Sequence, residues 1–246
     1  MIKFFRKIRY NLMEQNKTGK YLKYAIGEIV LVVVGILIAL SINNWNIKVQ
    51  DEKLSNLYYQ ELLLDVESDI EELNYRINYS ERVMNSIYSL IGALQNKTYA
   101  TVNQDTLQYA MNHYYRVAGW QFNLNTYKEL ESSGNLRYIG NSEIRSAITD
   151  YVNSIEGSAI VRERYTEDIV SRAFYIDKYV FTKFKDNNEL LSILDFEGLA
   201  NDQHLINYFS RIAMRWQNNK LSFKSIERQA KKIQETIISE LEKLKK

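Results

Sequence analysis

From Ile29 to Ile42 the chain runs without a single charged residue, IVLVVVGILIALSI. A helix of that length covers about 21 Å, short of the roughly 30 Å hydrocarbon core of a bilayer. A span built on this run must therefore extend over residues 24–45. Tyr24 and Trp45 then fall at headgroup depth, where amphipathic rings settle. The expectation is a basic tail over 1–23, a transmembrane helix over 24–45 and an exported domain over 46–246.

Charge predicts the orientation. Residues 1–23 hold Lys3, Arg6, Lys7, Arg9, Lys17, Lys20 and Lys23 against Glu14 alone, whereas residues 46–53 balance Lys48 and Lys53 with Asp51 and Glu52. The positive-inside bias puts the N-terminus in the cytoplasm and residues 46–246 across the membrane. The whole-chain charge of +2 thus hides a basic tail and a mildly acidic body. Such a tail suits anionic lipid, and Ile2, Phe5, Ile8 and Leu12 recur at the spacing of an interfacial amphipathic helix. A disordered basic tail serving only as a topology signal is the alternative. Ala39-Leu40-Ser41 has the small-x-small form of a signal-peptidase site, but the long basic region before the run and the apolar continuation at Ile42 favour an uncleaved anchor.

Two features inside the span bear on partners. Glu28 lies one turn inward from Tyr24, close enough to the boundary to reach headgroups, Lys23 or a neighbouring subunit. Gly35 and Ala39 form a small-xxx-small pair that permits close approach of a second helix.

The exported part must hold itself together by packing. The chain has no cysteine, which excludes disulfides and thiolate-ligated metal. It also has no proline and only 9 glycines, a composition that favours long helices. Leu63, Ile70, Ile77, Met84 and Ile91 are seven apart, interleaved with Tyr59, Val66, Leu73, Ser80, Ile87 and Leu94 at the same period. Phe209, Trp216, Phe223, Ala230, Ile237 and Leu244 form a second such row, with Leu205, Ile212, Asn219, Ile226 and Ile233 between. Two long helices, 47–95 and 202–245, thus carry coiled-coil-like stripes. Polar Ser80 and Asn219 interrupt the stripes and would lie at similar levels in an antiparallel pairing. Shorter helices are expected over 105–117, 122–132, 142–184 with a bend near Gly157, and 189–194, with loops over 96–103 and 185–188. The fold class is all-α: one span followed by an elongated helical bundle.

No constellation carries chemistry. His113 and His204 stand outside any Glu-x-x-His or His-Glu-x-x-His arrangement. No serine sits in a nucleophile elbow, and no glycine-rich phosphate loop exists. No catalytic residue and no cofactor is expected. The acidic run Glu61, Asp65, Glu67, Asp69, Glu71 and Glu72 reads as a solvated helix face, with weak divalent-cation binding as the alternative. The basic pairs near the C-terminus suit acidic helix faces or the helix dipole better than nucleic acid.

The stretches Ile2–Arg9, Tyr24–Leu40 (YAIGEIVLVVVGILIAL) and Ile42–Asn46 closely resemble a family of small membrane-anchored proteins of Bacteroidota, known mainly as a domain of unknown function. Thr126-Tyr127-Lys128-Glu129-Leu130-Glu131-Ser132-Ser133-Gly134-Asn135-Leu136, with Ile139 and Asn141, is similar to it as well. The resemblance implies a Gram-negative inner membrane and a periplasmic body, and it implies no activity. The turn Ser132-Ser133-Gly134-Asn135 has a mechanical reading, a left-handed glycine closing a helix, and a functional one, a partner-contacting turn flanked by Trp120 and Tyr127.

Two function classes remain. The first is an anchored helical scaffold whose body binds a protein partner or a second copy of itself. The second is a sensory-type bundle holding a small ligand among Tyr114, Tyr115, Arg116 and Trp120, and signalling through a separate partner. A continuous apolar core favours the first, and a buried polar pocket at those residues the second.

Overall fold

The computed structural model describes residue 10 and residues 18–117, 122–123, 125–184 and 190–244. The chain divides into two compact units, Met1–Ser55 and Asn56–Lys246. The amphipathic helix expected in the tail and Trp120 lie outside the described residues, as does the loop expected at 185–188.

Helix α1 (Thr18–Asn96) begins in the first unit. Its most apolar eighteen-residue window is 0% buried, and it is long and apolar enough to cross a membrane. Ile29, Leu31, Ile36, Leu37 and Ile42 all stand more than half exposed.

Hydrogen bonds fix the register of the second unit. Helix α4 (Ser142–Ser171) runs parallel to α1. The Tyr59 hydroxyl accepts from the Asn141 amide at 3.3 Å, and Tyr151 donates its hydroxyl proton to Asp69 at 2.7 Å, both pairs 82 residues apart. Helix α7 (Gln203–Leu244) runs antiparallel to both. Gln234 donates to Glu67 and Lys220 to Glu81, so a step up α1 is matched by an equal step back along α7. Asn141–Glu240 and Asp168–Arg215 set the same sense between α4 and α7.

Parallel neighbours require the chain to return between them, and residues 97–141 make that return. The segment carries α2 (Gln104–His113), α3 (Asn125–Ser132) and a 3-10 turn (Asn135–Tyr138). Its contacts descend α1 in order: His113 to Tyr79, Asn123 to Asp69, Thr126 to Asp65, Asn135 to Tyr58. The result is an up-down-up-down bundle whose second member is broken into pieces. Side-chain caps start these pieces. Asn103 accepts from the Asp105 and Thr106 amides, and Asn141 from those of Glu143 and Ile144.

The predicted stripes supply much of the core, though Leu63 and Ile70 of the other α1 row are only half-buried. On α1 the row Tyr59, Val66, Leu73, Ser80, Ile87 and Leu94 is buried throughout. On α7 both rows are buried except Leu244, which is 39% exposed. Trp216 is fully enclosed and donates its indole N–H to the Tyr114 carbonyl at 3.0 Å. Each such side chain contributes about 1.5–3 kcal/mol through burial. A third row on α1, Leu62, Asp69, Val83 and Leu90, is buried too, because α1 faces more than one neighbour. Ser80 and Asn219 are both buried, and Ser80 Oγ and Asn219 Nδ2 find no hydrogen-bond partner among the described residues.

The chain departs from expectation after Ser171. A helix reaching Phe184 was the expectation, but α4 ends at Ser171 and a short helix, α5 (Ala173–Asp177), follows. Strands β1 (Val180–Phe184) and β2 (Leu190–Leu194) then form an antiparallel hairpin, where the sequence suggested helix on both sides of the loop. The physical reason is local: Val180-Phe181-Thr182 is β-branched and aromatic, and each run is too short to sustain a helix without a face to bury. The Gln108 side-chain amide closes the outer edge of β2, donating to the Ser192 carbonyl and accepting from its amide at 2.9 Å. Helix α6 (Phe196–Asn201) leads back into α7.

Candidate functional site

The residues singled out in the expected span line no enclosed site among the described residues. Tyr24, Gly35, Ala39 and Trp45 are exposed and Glu28 is partly covered, all on one helix. A Cβ built on Gly35 would meet nothing within 4 Å, so this helix leaves room for close approach.

The family-like motif is bonded into one end of the bundle. Gly134 takes a left-handed φ of 71°, and its amide donates to the Glu131 carbonyl. Ser132 and Ser133 both donate their hydroxyls to the Glu129 carbonyl, and Asn135 donates to the Tyr58 hydroxyl at 3.1 Å. These bonds satisfy the end of α3, which is the mechanical role. Tyr127 is buried at 8% exposure.

The acidic run is not a solvated face throughout, which corrects the expectation. Asp65 Oδ2 accepts from the Thr126 amide at 2.9 Å, at the start of α3. Asp69 is 2% exposed, and its carboxylate accepts from the Asn123 amide and the Tyr151 hydroxyl. Burial raises the Asp69 pKa to about 6 against the pull of those two donors, with Asp65 and Glu72 adding to the rise. The reason is its place in the Leu62, Val83 and Leu90 row, which turns it inward while its charge disguises it. Among the described residues no group of His, Asp and Glu could hold a metal ion. The two carboxylates instead clamp the returning segment to α1.

Other expected positions are structural as well. Tyr114 is buried, with its ring edge-on to Phe209 at 6.1 Å, while Tyr115 is half-buried and Arg116 exposed; Trp120, the fourth residue of the expected ligand pocket, lies outside the described residues. His113 stacks on Tyr109 and shares a hydrogen bond with Tyr79, and burial, with Arg116 and Arg82 nearby, lowers its pKa. Arg162, which the sequence did not mark, is 3% exposed, donates to Ser158 and lies over the Phe223 ring.

The opposite end of the bundle differs. Lys97 donates to Asn201 and Tyr99 stacks on Phe196 at 4.9 Å, joining the end of α1 to α6. Beside them Phe174, Tyr175, Phe181 and Phe184 are 60%, 58%, 66% and 72% exposed, and Ile193 is 46% exposed. Gly198 locks the base of the hairpin: a Cβ there would meet Asp195 Oδ2 and come within 2.6 Å of the Tyr179 ring. The aromatic surface therefore stands on a well-fixed support. The expectation of helix over 180–194 concealed it, although the β-branched and aromatic run Val180-Phe181-Thr182 carried a strand signal.

Comparisons with curated proteins and with solved structures return no match. A scan of protein families matches residues 28–171, which take in the apolar run, the clamp and the left-handed turn and stop at the last residue of α4. The chain belongs to this family of unknown function (DUF6090).

Proposed function

We propose that this chain is a single-span anchor of a bacterial inner membrane whose periplasmic body docks a protein partner through the hairpin end. The observation that carries this is four strongly exposed aromatic side chains on α5 and β1, with Phe174 and Tyr175 in ring contact at 4.1 Å and Phe181 and Phe184 on opposite faces of the strand. Soluble surfaces rarely gather several large apolar groups without a partner to cover them. Each aromatic ring offers about 150–250 Å² of apolar area, and such rings dominate binding energy at interfaces. The anchor follows from a helix apolar on every side and covered by no protein, which is the surface that lipid solvates. Orientation follows from the basic tail, whose cations meet anionic headgroups on the cytoplasmic side. This role needs no catalytic group and no cofactor.

The test is site-specific photocrosslinking of the full-length protein in its native membrane, with the probe at Phe181 and a control probe at Tyr88, which is also exposed, on α1. A discrete adduct to another protein from Phe181 alone is the expected result. An adduct only to a second copy of the chain would replace the partner by a homo-oligomer. Equal, diffuse labelling from both positions would remove the docking role.

A further inference from the structure

Near the hairpin, but not lined by Phe181 or Phe184, a cleft of about 570 Å³ opens between α5 and the first turns of α7. That volume falls within the roughly 300–1,000 Å³ typical of small-molecule sites. Its cations outnumber its carboxylates: Arg172, Lys178 and Arg211 line it against Asp202 alone. Asp202 is engaged, accepting from the Tyr179 hydroxyl at 3.0 Å and from the amides of His204 and Leu205. Burial pulls the Asp202 pKa upward, but these donors outweigh it and hold the carboxyl below the usual range. Its charge is shared between the start of α7, the Tyr179 hydroxyl and nearby Lys178, so it offsets only one of the three cations.

The aromatic walls point to the other half of the ligand. The Tyr208 hydroxyl donates to the Ile169 carbonyl at 3.0 Å, as the Tyr179 hydroxyl does to Asp202. With its hydroxyl committed to the protein, half-buried Tyr179 presents ring surface rather than a hydrogen-bonding group, and the exposed Phe174 and Tyr175 rings line the cleft beside it, whereas Tyr208 is 5% exposed and backs the wall. Lys178 Nζ stands 4.9 Å from the Tyr179 ring centroid, and the Arg211 guanidinium 5.9 Å from that of Tyr208. Each cation is thus held beside an aromatic wall, with N–H donors left for an anion. Arg172 donates to Asp168 through Nε at 2.9 Å, and its side chain remains 50% exposed.

We propose that this cleft binds a small organic anion with a flat aromatic body, the anionic group between Lys178 and Arg211 and the body against Tyr175 and Tyr179. The cleft shares Phe174 and Tyr175 with the proposed docking face but not Phe181 or Phe184, which belong to that face alone.

Isothermal titration of the full-length protein in non-ionic detergent with 2-naphthoate tests it, using neutral 2-naphthamide as the isostere. The expected result is one-to-one binding of the naphthoate and at least about tenfold weaker binding of the amide. Lys178→Glu with Arg211→Glu weakens the naphthoate at least about tenfold, while Phe181→Ser leaves it unchanged. Both cations are surface groups, and circular dichroism of the double variant should match the parent. The milder Arg211→Gln gives a smaller loss in the same direction. Absence of naphthoate binding, equal binding of acid and amide, or indifference to the charge reversal would each overturn the proposal. Loss of the Phe181 photoadduct with naphthoate binding intact would sink only the docking role.

Discussion

The two ends of the bundle use the same kinds of residue in opposite ways. At one end Tyr58, Tyr59 and Tyr151 take hydrogen bonds from, or give them to, Asn135, Asn141 and Asp69, and their side chains are buried. At the other, Phe174, Tyr175, Phe181 and Phe184 face outward. The first end is aromatic because three descending and ascending segments must be tied together there. The second is aromatic beyond what its own packing requires. The contrast teaches that residue type alone does not mark a binding surface; what distinguishes it is whether the rest of the chain already covers the group.

Four changes break or sharpen this contrast. The largest effect is expected for Tyr151→Phe, which leaves the buried Asp69 carboxylate with one donor fewer. It should cost about 3 kcal/mol near pH 7.5 and clearly less near pH 4.5, where the carboxyl is protonated. Thermal melts of the full-length protein in detergent at the two pH values check this, and an equal loss at both would remove Asp69 from the account. Next comes the pH dependence of the parent. Because burial raises the Asp69 pKa to about 6, the folded state holds the proton more tightly than the unfolded chain. Its contribution is therefore complete below pH ~4 and is lost as pH rises to about 6, an effect of roughly 2–3 kcal/mol. Asp69→Asn should flatten that portion of the curve. A difference curve without slope between pH 4 and 6 would show that Asp69 titrates normally.

Smaller still is Gly134→Ala at the left-handed turn, expected to lower stability by about 1 kcal/mol without altering the photoadduct. Smallest in stability is the pair Phe181→Ser and Phe184→Ser, expected within about 0.5 kcal/mol of the parent while abolishing the adduct from a probe at Tyr175. A marked fall in melting temperature for this pair would make the aromatic end part of the fold after all.

Much of the architecture was legible in the heptad rows, because a stripe seven residues apart has few uses other than burial against parallel or antiparallel neighbours. The start of α4 at Asn141 and the turn at Gly134 were legible for the same local reasons that make asparagine a cap and glycine a left-handed residue. Asp69 was not, since a carboxylate in a row of apolar residues reads as the solvated side of the helix. Its spacing, seven after Leu62 and fourteen before Val83, was the available signal. The hairpin failed for a different reason: two five-residue runs decide their conformation by the partner strand and by Gln108, which lies 84 residues before Ser192. The cleft at Arg172, Lys178 and Arg211 depends on how α5 returns to α7, and nothing in the local sequence announces that geometry.

The return of residues 97–141 along α1 has a consequence for the order of assembly. The return segment packs back along α1 as soon as it is made, and α4 then pairs with α1 across 82 residues. The α1–α7 pairing instead spans 139 residues between Glu81 and Lys220 and 167 between Glu67 and Gln234, the slow, late kind of contact. Until the 42 residues of α7 arrive, the groove meant for Trp216 and Phe223 stays open, so a ribosome-released chain lacking them is expected to be a chaperone client rather than a smaller version of the same protein.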